Sequence, residues 1–130
     1  MCIFCEIANG NIPSKKVYED EYTLAFLDLS QTTKGHTLVI PKHHVTSIEQ
    51  VDLETLNHVN ATVLKVIPLL KEKLHCLGFN VLTNANEVAG QTVPHFHVHI
   101  IPRYDQNDSI SIEFSENKFD LDDVLHTIID

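Results

Sequence analysis

The sequence predicts an α+β fold, in which an antiparallel sheet of about five strands is covered by one long helix and short terminal helices. Two observations lead to this prediction. Short β-rich runs occur in pairs joined by short turns, as antiparallel strands do. One long central segment instead repeats its apolar residues with the period of a helix. We expect residues 1–130 to form a single domain, because a chain of this length can bury one sizeable core.

Three strands are predicted in the first third of the chain, after a short apolar start. The turn-forming residues 9–14 separate that start from the first strand. Two of the strands form a hairpin around Glu19-Asp20-Glu21, and a break at 33–35 precedes the third strand, which Pro41 ends. The predicted strands are Val17–Tyr18, Tyr22–Leu27 and Thr37–Ile40.

One long helix is predicted from Leu53 onwards, with Asp52 or Ser47 as its N-cap. Pro68 lies inside the helical pattern, and we expect it to kink or split the helix because proline removes a backbone donor. Gly78 is the predicted C-cap. The apolar residues that follow the helical period are Leu56, Val59, Val63, Val66, Ile67, Leu70 and Leu74.

Two further strands and a short final helix are predicted in the rest of the chain. The strands are Phe79–Thr83 and His95–Arg103, and the helix runs from Asp120 to about Ile129. Residues 84–93 join the two strands, and a polar connection of this length is typical of a binding loop. Residues 105–118 show no pattern that predicts an element.

Residues 95–99 read His-Phe-His-Val-His, which is the most informative pattern in the chain. Successive side chains of a strand point to opposite faces, so His95, His97 and His99 share one face while Phe96 and Val98 share the other. The apolar face is typical of a strand packed on a core. An imidazole can attack phosphorus, accept a proton or bind a metal near neutral pH, so the histidine face predicts a site.

The charge balance and the cysteine count limit the class of protein. The net charge is −9 with neutral histidines, which argues against nucleic acid as a partner. No stretch approaches the ~18 apolar residues of a membrane span, and the N-terminus lacks the pattern of a signal peptide. Three cysteines do not suggest a disulfide framework, so we expect a cytoplasmic protein with reduced thiols and no membrane partner.

The segment around the histidines resembles the signature of the histidine triad (HIT) superfamily. Residues 90–101 read Gly-Gln-Thr-Val-Pro-His-Phe-His-Val-His-Ile-Ile, and residues 35–42 read Gly-His-Thr-Leu-Val-Ile-Pro-Lys, which is similar to a second block of the family. Ile3-Phe4, Ile12-Pro13 and Phe26-Leu27-Asp28 resemble its amino-terminal part. The resemblance covers about residues 2–103, leaves 104–130 as a C-terminal extension, and implies a HIT-like fold of the Hint/Fhit-like bacterial type.

The resemblance implies a nucleotide hydrolase or transferase. In this reading His97 attacks the α-phosphorus of an adenine-type nucleotide, and water then releases the nucleoside monophosphate from the histidine. The purine nucleotide substrate is a nucleoside phosphoramidate or a dinucleoside polyphosphate, and the protein is a homodimer. The other implied catalytic residues are His99, Thr92 and His36. The implied nucleotide-binding residues are Phe4, Ile7, Leu27, Asp28, Asn84, Gly90 and Gln91, together with Thr92, His97 and His99.

Cys2 and Cys5 form a Cys-x-x-Cys pair, which suggests half a zinc site, a redox pair or two ordinary thiols. The resemblance implies zinc, with His44 and His95 as the remaining ligands, and His43 is an alternative to His44. Four protein ligands leave no open position for water, so the implied zinc is structural, and no organic cofactor is expected. Cys76 has no partner in the sequence and is predicted to be a buried apolar residue.

Two other functions remain open at this point. The first is a hydrolase in which His95, His97 and His99 ligate a catalytic zinc ion. This arrangement is geometrically unfavourable, because His95 and His99 would be about 13 Å apart along a strand at ~3.3 Å per residue. One zinc ion with bonds of about 2 Å would strain to reach both. The second is a nucleotide-binding or scaffold module whose hydrolysis is incidental, since a fold does not determine a function.

Overall fold

The computed structural model describes all 130 residues and contains one five-stranded antiparallel sheet with three α-helices. The predicted α+β fold is therefore confirmed. The strand order is β1-β2-β3-β5-β4, so β3 is the central strand and lies between β2 and β5. The elements are α1 (Ile3–Ala8), β1 (Lys16–Glu19), β2 (Thr23–Leu27), β3 (Thr37–Pro41), α2 (Leu53–Leu74), β4 (Gly78–Leu82), β5 (Val98–Arg103) and α3 (Leu121–Ile129), with a short 3₁₀ turn at Glu87–Ala89.

The long helix α2 differs from the sequence prediction at two points. It begins where Asp52 accepts the backbone N–H of Thr55 at 2.7 Å, which confirms Asp52 as the N-cap. It continues unbroken through Pro68 instead of splitting, because the carbonyl that loses its donor belongs to Leu64 on the exposed side of the helix. Gly78 as C-cap is wrong. His75 takes the left-handed conformation at the helix end with φ 58°, and Gly78 begins β4.

The sheet buries a different apolar cluster on each face. On one face α2 packs Val59, Val63 and Val66 against a cluster that includes Phe96 and Ile100. On the other face α1 packs against the opposite side chains of β2 and β3, which are Leu24, Phe26, Leu38 and Ile40. Because side chains alternate along the chain, burying Phe96, Val98 and Ile100 under α2 turns His95, His97 and His99 towards α1.

Regular structure is sparse after β5. Residues 104–119 form turns and extended chain, and α3 begins where Asp120 accepts the backbone N–H groups of Asp122 and Asp123. The predicted final helix is thus confirmed, although all its side chains are exposed. None of the helices combines the length and the apolarity that crossing a bilayer would require.

Replacing Gly35 by alanine is expected to destabilise the fold by about 1–3 kcal/mol. Gly35 has a φ of +95°, and a Cβ there would collide with the Leu74 side chain and lie 3.3 Å from Pro102 Cγ. Gly10 is the matched control, since its φ is +80° and a Cβ there meets nothing within 4 Å. Denaturant unfolding should show a clearly larger decrease in the free energy of unfolding for Gly35→Ala than for Gly10→Ala. Equal decreases would mean that crowding at Gly35 is unimportant.

Candidate active site and metal centre

A cavity of about 200 Å³ lies between α1 and the sheet, and the histidine face opens into it. It is mostly apolar, with polar groups at one side, as small-molecule sites commonly are. A larger depression of about 490 Å³ beside residues 31–34 and 104–109 is polar and contains no histidine. The lining residues of the smaller cavity are Ile3, Phe4, Ile7, Phe26, Asp28, Leu29, Leu38, Thr92, Val93, His97 and His99.

Only the end of the histidine run belongs to the sheet, and His95 lies in a bend before it. β5 begins at Val98 and not at His95 as predicted, because the preceding backbone turns towards another segment: the Phe96 N–H donates to the Val45 carbonyl at 2.7 Å. The alternation nevertheless persists, since Phe96 is 1% exposed and anchored in the α2 core. His99 pairs with Leu38 of β3 and is held by the sheet itself.

His97 has one ring nitrogen committed and one available. Its Nδ1 lies 2.7 Å from the His95 carbonyl oxygen, which only accepts, so Nδ1 carries the proton. The lone pair of Nε2 is then free, and the side chain lines the cavity. Burial lowers the pKa of His97, and the His95 carbonyl and the Asp28 carboxylate only partly oppose this. The ring is therefore neutral near pH 7, as a nucleophile requires.

His99 is coupled to His36, which directly precedes β3. His36 Nε2 lies 2.9 Å from His99 Nδ1, and the Thr32 N–H approaches His36 Nδ1 at 3.4 Å. A donor at Nδ1 leaves the proton of His36 on Nε2, and the Asp28 carboxylate, 3.7 Å from Nε2, favours it there. With His36 donating, His99 accepts through Nδ1 and carries its own proton on Nε2. The Nε2 lone pair of His97 and the Nε2–H of His99 therefore lie on neighbouring rings, whose centroids are 5.0 Å apart.

Buried histidines should make stability fall as the pH is lowered. Burial, with His97 and His36 as like charges, lowers the pKa of His99 to about 4 from 6.5. The unfolded chain takes up this proton first, so the stabilisation is complete above pH ~6.5 and is lost as the pH falls towards about 4. We expect unfolding free energy measured between pH 7 and 4.5 to decline less steeply in His99→Asn than in wild type. Parallel curves would contradict the neutral, buried state of His99.

The Asp28 carboxylate lies at the mouth of the cavity, at the end of β2. One oxygen accepts the Ser30 N–H at 2.8 Å, and the other faces His36. Leu27, the preceding residue, does not line the cavity; Phe26 and Leu29 do so in its place. Alternation along β2 explains why Phe26 faces the cavity and Leu27 does not, whereas Leu29 lies beyond the end of the strand.

The loop of residues 84–93 places Thr92 at the cavity wall. The other predicted nucleotide-binding residues of this loop contact the protein instead. Gln91 is buried, and its amide donates to the carbonyls of Thr46 and Val93 at 2.7 and 3.0 Å and accepts the Asn86 N–H. Gly90 has a φ of +101°, and the Asn84 amide lies against it. Gln91, Gly90 and Asn84 therefore do not line the cavity.

A second cluster, which we call the metal cluster, consists of Cys2, Cys5, His44 and His95. The two histidine Nδ1 atoms are 3.3 Å apart, Cys2 Sγ is 3.3 Å from His95 Nδ1, and Cys5 Sγ is 3.4 Å from His44 Nδ1. Tetrahedral zinc, with bonds of about 2.0–2.3 Å, places bound nitrogens roughly 3.3 Å apart and nitrogen and sulfur roughly 3.6 Å apart. The donor atoms already have nearly that spacing, so this set fits a closed zinc site.

The partner of His95 supports the same conclusion. Its Nε2 lies 2.9 Å from the buried Pro41 carbonyl, so Nε2 carries the proton and Nδ1 faces the sulfurs with its lone pair. His43, the alternative to His44, points elsewhere, with Nε2 3.3 Å from the Thr55 hydroxyl. Cys76 is 3% exposed and remote from the cluster, as predicted.

The three histidines of the run do not converge on one position. Nδ1 of His95 faces the cysteines, that of His97 faces a backbone carbonyl, and that of His99 faces His36. A single catalytic ion bound by all three is not compatible with these partners. This removes the geometric basis of the catalytic-zinc alternative.

Comparison with known proteins assigns the family. The sequence profile of the HIT domain matches residues 9–106. The chain belongs to the HIT family. An uncharacterized HIT-like protein of Methanocaldococcus jannaschii is 49% identical over 129 residues, which are 98% of each chain. Adenosine 5′-monophosphoramidase of Schizosaccharomyces pombe is 41% identical over 105 residues, covering 78% of this chain and 74% of the yeast protein.

Solved structures of HIT proteins have the same fold. A HIT family protein from Bacillus anthracis superposes with a TM-score of 0.90 at 46% identity, covering 97% of this chain and 91% of the other. A zinc-bound histidine triad protein from Mycobacterium smegmatis superposes with a TM-score of 0.79 at 37% identity, covering 89% and 84%.

Proposed function

We propose that this protein cleaves adenine-type nucleotides at the α-phosphate, through a covalent nucleotidyl intermediate on His97. The observation that carries the proposal is the pairing at the cavity wall: the Nε2 lone pair of a neutral His97 beside the Nε2–H of His99. The first is a nucleophile and the second a donor for a phosphate oxygen. A yeast relative is named an adenosine 5′-monophosphoramidase, and this name supports an adenine nucleotide as the substrate class.

The reaction proceeds in two displacements on phosphorus. His97 Nε2 forms a bond to the α-phosphorus while the bond to the leaving amine or phosphate breaks, and Thr92 supplies or relays the proton that the leaving group takes. His99 donates its Nε2–H to a non-bridging oxygen, where negative charge develops. Water then attacks phosphorus and returns a proton to Thr92 while the bond to His97 breaks, so the nucleoside monophosphate leaves with the imidazole and the Thr92 hydroxyl restored.

The rest of the cavity binds the nucleotide. Phe4 and Ile7 form the apolar slot for the base, and Asp28 accepts the ribose hydroxyls at the cavity mouth. Gln91, Asn84 and Gly90 act by holding the loop that presents Thr92, because their polar groups already have partners within the protein or pack on one another. Leu27 makes no contact with the nucleotide; its role is to position Phe26 and Asp28, its neighbours in the sequence, which line the cavity.

The metal cluster would hold structural zinc. Cys2, Cys5, His44 and His95 would hold the ion, which would cross-link the N-terminal segment to the segments after β3 and before β5 and supply no reacting group. We also propose that two copies pair, since β4 is an edge strand with Val81 47% exposed, and α3 leaves an apolar face uncovered.

The proposal is tested by assaying adenosine 5′-phosphoramidate and diadenosine polyphosphates for release of AMP. We expect turnover with at least one of the two substrate classes, and AMP should be the nucleotide product. Tight AMP binding without turnover on either class would favour the alternative, a nucleotide-binding module. If the protein neither bound AMP nor turned over either substrate class, the proposal would be overturned.

A further inference from the structure

The short helix α1 belongs both to the metal cluster and to the wall of the cavity. Cys2 caps it, with Sγ accepting the Cys5 N–H at 3.4 Å, and both cysteines face the cluster histidines. Phe4 and Ile7, at 7% and 9% exposure, line the cavity from the same helix. The helix has only six residues, so any movement of its metal-binding side also moves its cavity side.

Phe4 makes the contact between the two sites directly. Its ring packs edge-on against His95 at 5.9 Å between centroids, against His97 at 5.1 Å and against Phe26 at 5.6 Å. One aromatic side chain therefore touches a metal-cluster histidine, the nucleophile of the proposed reaction and the floor of the base slot.

Little else attaches α1 to the protein. Every backbone hydrogen bond of residues 1–12 outside the regular helix pattern is made within that segment. The side-chain contacts of its polar groups with the remaining chain are those of Cys2 and Cys5 with His44 and His95. A six-residue helix has no stability of its own, so apolar packing and the metal cluster alone hold it in place.

The nucleophile is anchored independently. His95 is fully buried and bonded through Nε2 to the Pro41 carbonyl, and the Phe96 N–H donates to Val45. The carbonyl that orients His97 therefore stays in place whether or not a metal binds His95. Loss of the metal should loosen the base slot and leave the reacting groups nearly unchanged.

We propose that occupancy of the metal cluster sets the affinity for the nucleotide base, with α1 and its residue Phe4 as the coupling element. The inference rests on the proposed function, since it needs a nucleotide in the cavity. Such coupling is reciprocal: if zinc tightens AMP binding by some factor, AMP tightens zinc binding by the same factor. The zinc site is then a regulator of substrate binding as well as a structural cross-link.

The test compares ligand binding to zinc-loaded and zinc-free protein by calorimetry, with AMP and ribose 5-phosphate as probes. Removing zinc should raise the Kd of AMP at least about fivefold, the lower end of ordinary coupling. Ribose 5-phosphate has no base to contact α1, so its Kd should be unchanged. An unchanged Kd for AMP, or equal losses for the two probes, would overturn the inference. Absence of AMP binding to the loaded protein would overturn the proposed function itself.

A second measurement does not require the zinc-free protein to fold. Zinc release from the loaded protein to a chelator is timed with and without saturating AMP. AMP should slow zinc release several-fold in wild type and much less in Phe4→Leu, which retains all four metal ligands. Equal release rates with and without AMP in wild type, or an undiminished effect in Phe4→Leu, would contradict the coupling through α1.

Discussion

Replacement of His97 by glycine is expected to lower turnover at least about 10⁴-fold, on the scale seen when a nucleophile is removed. The bond from Nδ1–H to the His95 carbonyl orients the ring of His97 at the cavity wall. Glycine removes this oriented nucleophile, and a water molecule in its place cannot form the covalent intermediate. Mass spectrometry of wild-type protein quenched during turnover should show a nucleoside monophosphate adduct. The adduct should be absent from His97→Gly.

Misfolding is separated from loss of chemistry in two ways. Free imidazole added to His97→Gly should restore part of the turnover, because glycine leaves space where the ring stood beside Phe4. His126→Gly removes an exposed histidine of α3, distant from the cavity, and should leave kcat unchanged. Near-normal turnover in His97→Gly would show that no covalent bond to this residue is needed.

Replacement of Cys5 by serine is expected to reduce bound zinc from about one per chain to nearly none and to lower Tm by at least about 10 °C. A structural zinc site contributes several kcal/mol to folding, and each kcal/mol shifts Tm by about 2–8 °C in domains of comparable size. The kcat should change less than about threefold, since His97 is oriented by bonds that do not involve Cys5. Zinc analysis, thermal unfolding and steady-state kinetics measure the three quantities.

His43→Asn is the matched control for the metal cluster. His43 is adjacent to His44 but faces Thr55, so this variant should keep its zinc while His44→Asn loses it. Retention of zinc by Cys5→Ser would remove Cys5 from the ligand set. Complete loss of kcat with unchanged Tm would show that the metal acts in the reaction and not in the fold.

Much of the fold was predictable because it depends on local periodicity. The five strands and the long helix follow from alternation and from the helical period, and the structure contains all of them. The errors lie at element ends and at one proline inside α2. A proline at an exposed position is tolerated within α2, and a non-glycine residue, His75, takes the left-handed cap. Both outcomes depend on exposure and on the chain direction after the helix, which a local pattern does not contain.

The candidate site was predictable to the extent that its residues stand close together in the sequence. Residues 90–99 bring Thr92, His97 and His99 to the cavity wall. Residues distant in sequence were less certain. Leu27 does not reach the cavity, whereas Leu29, Phe26 and Leu38 line it without having been proposed. Alternation was a signal for Phe26, which shares the face of Asp28, and Leu38 pairs with Phe26 on β3; Leu29 lies beyond β2, and no periodicity identifies it.

The sequence by itself determined that three imidazoles share one face, because alternation is a property of the extended backbone and needs no distant contact. Only the tertiary structure decided what each imidazole does. His95 contacts two cysteines, His97 a backbone carbonyl, and His99 the His36 ring just before β3. Whether a ring nitrogen carries a proton or a free lone pair depends on the atom that faces it, and segments distant in sequence supply most of those atoms.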